Sequence, residues 1–208
     1  GVPRHDSFVC FHARDNAYLE HFRSSNDGAD RGVDLRNASI KNFLPAIERL
    51  TEMGYWAIRM GKVVKDPIDV DNPKIIDYAT NWHSDFMDIF LAAHCTFFIG
   101  STAGITCVPQ IFQRPVLAAN IQPIRDMINF GSVKGISIPK QMFSESKGRF
   151  LTFRERFDLG LGDFSNEGPV QQKLTLRLGL KVLENTPKEI YDAAMEMHRR
   201  LGAGFEWR

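Results

Sequence analysis

Cysteine is scarce in this 208-residue chain, which has Cys10, Cys95 and Cys107 and no others. They show neither CxxC spacing nor the pairing of a zinc site, and an odd count at unrelated spacings argues against a disulfide framework. Buried thiols in a reducing compartment, the cytoplasm, are the expectation. Net charge is lacking too. Lys and Arg total 26 against 25 Asp and Glu, leaving +1, which gives no support for nucleic-acid binding or a polybasic membrane surface. No apolar run reaches membrane-spanning length, no signal-peptide pattern is visible, and internal repeats and low-complexity tracts are missing. What remains is an ordinary globular balance, 43% hydrophobic and 25% charged, in a chain long enough to bury a sizeable core.

The apolar residues fall into short runs and helical stripes that alternate. Phe8 to Phe11 form a run with no polar break, as a strand buried on both faces requires. A polar loop, 23–32, follows, long enough to suggest a functional role. Phe43, Ile47, Leu50 and Met53 recur at helical spacing, with Pro45 in the first turn and Gly54 as the stop. Residues 55–61 read as a second strand closed by Gly61, and 75–79 as a short third. Residues 85–95 read as a helix whose buried face is Phe86, Ile89, Phe90 and Ala93, widened by Met87 and Leu91. Strand 96–100, helix 105–112 and strand 114–120 complete the alternation. Beyond 121 the pattern is hard to read until a capping box, Thr152 with Glu155, and a last strand over 180–185. A final helix is capped by Thr186, with Pro187 first, Glu189 completing the box, and a stripe of Ile190, Ala194, Met197 and Leu201. Strand-helix-strand alternation predicts one α/β domain over 1–208, with a doubly wound, mostly parallel, Rossmann-like sheet.

In such a sheet ligands bind outside the carboxyl ends of the strands. His12, Arg14 and Asp15 stand where the first strand stops, and Arg59 and Gly61 where the second does. The fourth strand runs into Gly100-Ser101-Thr102-Ala103-Gly104. That stretch has three readings. A nucleophile elbow needs Ser at the centre of G-x-S-x-G, whereas Thr102 is there and Ser101 is one place off. A phosphate cradle would use small residues and main-chain N–H groups at a helix start. A tight turn needs no ligand. Neither GxGxxG nor a Walker loop is present. Together, Arg14, Arg59 and Ser101/Thr102 outline an anion pocket along one sheet edge. Asp69-Val70-Asp71 lies in a turn rather than after a strand, so neither an aspartyl-phosphate nor a metal DxD is supported. His94, Cys95 and Cys107 read as buried structural residues, His83 and Asp85 precede a helix, and no metal cluster is evident.

The stretches FVCFHARD, RNASIKNFLPAIERLTEMGYWAIRMG, SDFMDIFLAAHCTFFIGSTAGITCVPQIFQRPVLAAN and VLENTPKEI resemble a family of bacterial putative glycosyltransferases. More distantly they resemble the donor-binding half of fucosyltransferase-type enzymes of GT-B architecture. The likeness spans most of 8–120 and the final helix. It implies one Rossmann-like half of a GT-B enzyme whose N-terminal partner domain lies outside this chain, which starts at Gly1 with a core strand close behind. It further implies a nucleotide-diphosphate sugar donor and transfer to a glycan or protein acceptor in bacterial surface glycan or glycoconjugate synthesis. By this resemblance Arg14 contacts the diphosphate, Ser101 and Thr102 bond phosphate oxygens, and His12 shapes the pocket. Arg36-Asn37 faces substrate, and Asp77, Tyr78 and Asp85 hold base and ribose. Fucosyltransferases carry a second basic residue after H-x-R where this chain has Asp15, a departure that bears on a GDP-fucose donor. Without a metal-binding DxD, Arg14 and the N–H groups of 101–104 would stabilise the leaving diphosphate, with no metal or other cofactor. His12 and Asp15 are the nearby candidates for proton transfer. A non-catalytic Rossmann-like module binding a nucleotide or partner is the alternative, and a hydrolase using Ser101 is a third.

Overall fold

The computed structural model describes residues 1–22, 35–124, 126–127, 134–161 and 168–203, without the side chains of 168, 169 and 171. The expected long loop at 23–32 lies outside the described residues. Six strands form one sheet: β1 (Phe8–His12), β2 (Trp56–Arg59), β3 (Ile75–Ile76), β4 (Phe98–Gly100), β5 (Val116–Ile121) and β6 (Gly135–Pro139). Their order is β3-β2-β1-β4-β5-β6, and every pair is parallel. The chain runs outward from β1 in one direction and returns to β4 on its other side. The strand order therefore reverses between β1 and β4, the position where such sheets open a ligand crevice.

Both faces of the sheet are covered, which explains the unbroken apolar runs. Val9 and Phe11 of β1 pack with Ile99 and Leu117 against α2 (Leu44–Glu52) and the C-terminal helix α8 (Pro187–Gly202). Cys10, Ile58, Phe98 and Ala118 point the other way, towards Tyr78 and Leu91. Alternation of side chains along a strand produces this split. Helix α2 begins with a proline in its first turn and ends before Gly54 at φ 102°. Helix α8 starts on the capping box of Thr186 and Glu189 and buries Ile190, Ala193, Ala194 and Met197. Buried Asn120, at φ 56°, exchanges main-chain and side-chain bonds with Asn185 at 2.6 Å each way, tying the end of β5 to the start of α8.

Four expectations need correction. Residues 78–79 leave the third strand and begin the short helix α3 (Tyr78–Asn81), because only Ile75 and Ile76 reach β2. Helix α4 (Asp85–His94) buries Leu91, Ala92 and Ala93, while Phe86, Ile89 and Phe90 are exposed. Small Ala92 and Ala93 let the helix lie close to the sheet, and the larger stripe turns outward to stack Phe86, Phe90 and His94. Cys107 and His94 are exposed, although Cys10 and Cys95 are buried free thiols. The strand at 180–185 is β9 (Leu180–Leu183), and it does not join the main sheet. It pairs antiparallel with β7 (Gln141–Ser144), which also pairs with β8 (Arg149–Phe150), over a small core of Met142, Leu151, Leu161 and Leu180. The remaining helices are α1 (Ala17–Phe22), α5 (Val108–Ile111), α6 (Phe153–Asp158) and α7 (Gly168–Arg177). No helix of the described residues is long and apolar enough to cross a membrane.

Candidate functional site

Three strand ends meet at the reversal of strand order, and their loops are stitched to one another. Ser101 N–H donates to the His12 carbonyl at 3.3 Å, and Arg14 N–H donates to Ser101 Oγ at 2.8 Å. Thr106 Oγ1 donates to the Ser101 carbonyl at 2.8 Å, bending the loop after β4 into a short 3₁₀ turn, Gly104–Cys107. Gly100 makes this bend feasible: a Cβ there would lie 2.7 Å from Thr106 Oγ1 and 2.8 Å from the Phe98 ring. Asp15 joins the loops after β1 and β2, accepting from Ala17 N–H at 2.9 Å and from Lys65 N–H at 3.0 Å.

Between these loops and the start of α4 lies a cavity of about 460 Å³. Arg14, Lys62, Asp85 and Asp88 bring charge to its wall, and Leu19, Ile89, Ile105 and Val108 bring apolar surface. His12, Asp15, Gly61, Ala103 and Gly104 also line it. A pocket of this size and mixed character suits a nucleotide-sized ligand. A Cβ on Gly104 would meet nothing within 4 Å, so the loop wall stays low and main chain is approachable.

His12 is held in one tautomer. A carbonyl can only accept, so the 3.0 Å contact between His12 Nδ1 and the Met60 carbonyl places the proton on Nδ1. Burial is the main cause of a lowered pKa at His12, with Arg59 and Arg14 adding to it against the opposing pull of the Met60 bond and Asp15. The ring is therefore neutral, and Nε2 carries the lone pair. Asp88 is similarly fixed, accepting from Tyr78 OH at 3.0 Å on one oxygen and meeting His83 Nε2 at 3.0 Å on the other. The N-cap of α4 is Ser84, whose side chain accepts from Met87 N–H, and Asp85 stands in the first turn.

Of the anion pocket expected from three strand ends, Arg14 reaches the cavity and Arg59 does not. Arg59 is 2% exposed and ends on the Asp66 carbonyl at 2.7 Å and Asp77 Oδ2 at 3.2 Å. Asp77 in turn accepts from Ile68 N–H, so this pair braces the loop after β2. Ser101 is fully buried within the loop stitching, and Thr102 Oγ1 accepts from Gln122 N–H at 3.2 Å. Arg36 and Asn37 lie beside the end of β1, where Ala38 N–H donates to the Arg14 carbonyl at 2.9 Å. There Asn37 Nδ2 donates to Asn16 Oδ1 at 2.7 Å and its carbonyl accepts from Lys140 Nζ. Arg36 and Asn37 are not among the residues that line the cavity.

The sequence reading missed Lys62 and Asp88. It also passed over the grouping of His83, Asp85 and Asp88, each of which offers one ligand atom within 4.8 Å of the others. The H-x-D-x-x-D spacing at a helix start was the available signal, since positions three apart share a helix face.

An open parallel sheet whose strand order reverses between β1 and β4 defines a Rossmann-like α/β fold. Solved structures narrow this to a distant GT-B glycosyltransferase-like fold. The bacterial iron-containing dodecameric glycosyltransferase TibC from enterotoxigenic E. coli matches with a TM-score of 0.51 at 13% identity, over 98% of this chain and 48% of TibC. The heptosyltransferase TibC in complex with ADP-D-beta-D-heptose matches at 0.46 and 12% identity, over 97% of this chain and 47% of the other. The wall teichoic acid polymerase TagF matches at 0.37 and 13% identity, over 99% and 46%. The chain thus spans about half the length of these proteins. No family model and no curated protein matches it.

Proposed function

We propose that this chain is the nucleotide-sugar-binding half of a GT-B glycosyltransferase of the hexosyl- or fucosyltransferase-like kind. It would take a nucleoside-diphosphate sugar and pass the sugar to a glycan or protein acceptor, in the cytoplasm, during bacterial surface glycan or glycoconjugate synthesis. The observation that carries this reading is the cavity at the β1/β4 reversal, which combines Arg14 and low main-chain walls with apolar surface. The distant fold likeness to the glycosyltransferase TibC supports the transferase class by analogy of fold alone.

In the proposed reaction the bond between the anomeric carbon and the diphosphate breaks, and negative charge builds on the leaving diphosphate. Arg14 lines the cavity and would meet that charge, and a planar guanidinium suits phosphate oxygens. His12, neutral with its lone pair on Nε2, is suited to accept the acceptor hydroxyl's proton. Asp15 acts by positioning, because both its oxygens already accept main-chain N–H groups. Ser101 and Thr102 would hold the loop in shape more than they hold phosphate. No metal ion is required by this scheme.

Calorimetric titration in EDTA against GDP, UDP, CDP, ADP and the matching monophosphates tests it. One diphosphate should bind at least about tenfold more tightly than its monophosphate, and Arg14→Ala should remove that advantage. Failure of every diphosphate to bind at millimolar concentration would count against the donor site. A second reading, a binding module without catalysis, is favoured by the commitment of Asp15 to the main chain. Binding without turnover of any sugar donor would support it.

A further inference from the structure

Gly61 lies two residues past the end of β2 at φ 149°, and the next residue, Lys62, stands in the cavity wall that Arg14 also lines. Lys62 Nζ lies 2.9 Å from Asp85 Oδ1, and the two side chains are 43% and 82% exposed. Resting on the donor-site reading, we propose that Lys62 is a second cation of the diphosphate site. Asp85 holds it in the absence of ligand, and it transfers to the ligand's phosphate on binding.

The contrast with the neighbouring pair argues for exchange. Arg59 and Asp77 are 3% and 10% exposed and carry further main-chain bonds, so neither can leave without stranding a buried charge. Lys62 and Asp85 are solvated, and exposed pairs of this kind contribute little and separate readily. Asp85 also sits in the first turn of the ten-residue helix α4, where the positive end of the helix favours a carboxylate after the lysine departs. An ammonium on a flexible stem can follow a phosphate group, whereas Arg59 is locked in place. The charge inventory of the cavity agrees. Arg14 and Lys62 are its lining cations beside three carboxylates, Asp15, Asp85 and Asp88, and a diphosphate carries more charge than one guanidinium balances.

The rival role for Asp85 is as a ligand, with His83 and Asp88, to a divalent cation that would bridge to the phosphates. The two roles give opposite signs. In calorimetry with inorganic pyrophosphate in EDTA, Lys62→Met should weaken binding about tenfold, Lys62→Arg should retain most of it, and Asp85→Asn should bind as tightly as the parent or more tightly. Unchanged pyrophosphate affinity in Lys62→Met would overturn the inference and leave the donor site standing. So would weaker binding in Asp85→Asn together with tenfold tighter binding by the parent in magnesium chloride. If the parent bound neither pyrophosphate nor any nucleoside diphosphate, the donor-site reading would fall and this inference with it.

Discussion

Asp77 accepts from Arg59 Nη1 at 3.2 Å and from Ile68 N–H at 3.0 Å beneath the loop that carries Gly61 and Lys62. Asp77→Ala would strand a guanidinium that is 2% exposed, and should cost about 3–5 kcal/mol in urea unfolding. The double change Arg59→Met with Asp77→Leu should recover most of that loss, because apolar residues of similar volume need no partner. His12 gives a pH signature. Its pKa is lowered in the folded state by burial, whereas an unfolded histidine titrates near pH 6.5 or so. Below that value the unfolded chain binds the extra proton first, so stability is full above about pH 6.5 and falls as the pH drops towards the folded pKa. Urea unfolding between neutral and mildly acidic pH should show this slope, and His12→Asn should flatten it. The residue types that lie at strand ends were legible from sequence. Their partners were not: Arg59 and Arg14 stand alike after apolar runs, and the carboxylate that captures Arg59 comes from 18 positions further along.

Among elements, α4 is the most instructive. Its sequence is apolar on two stripes, Phe86/Ile89/Phe90 and Met87/Leu91, so periodicity locates a helix without deciding which side faces the sheet. The structure buries the side bearing Leu91, Ala92 and Ala93. Leu91→Ala should therefore cost about 2–5 kcal/mol of stability, and Phe86→Ser less than about 0.5 kcal/mol, when both are unfolded in urea. The reverse order would place the burial on the wrong stripe. Helices α2 and α8 were legible because each joins one apolar face to an end signal, Pro45 and Gly54 for α2 and the Thr186 capping box for α8. The small sheet of β7, β8 and β9 was not, since its strands are two to four residues long and pair across gaps that no local pattern records.

For the whole molecule, the claim at stake is that the cavity between the ends of β1, β2 and β4 is where a nucleoside diphosphate binds. The parallel sheet itself was legible in the alternation of strands and helices, and the reversal between β1 and β4 follows from its strand order. The composition of the cavity was less so, because it depends on α4 presenting Asp85 and Asp88 from a separate segment. One measurement addresses the claim most directly: mapping amide chemical-shift changes in the isotope-labelled protein on addition of GDP, UDP, CDP and ADP in turn. At least one nucleotide should perturb the amides of His12, Arg14, Lys62, Ala103 and Gly104 as a group, leaving those of β7 and β8 unmoved. Perturbation centred on the exposed Phe86 and Phe90 face, or on the small sheet with the cavity amides unchanged, would contradict the account.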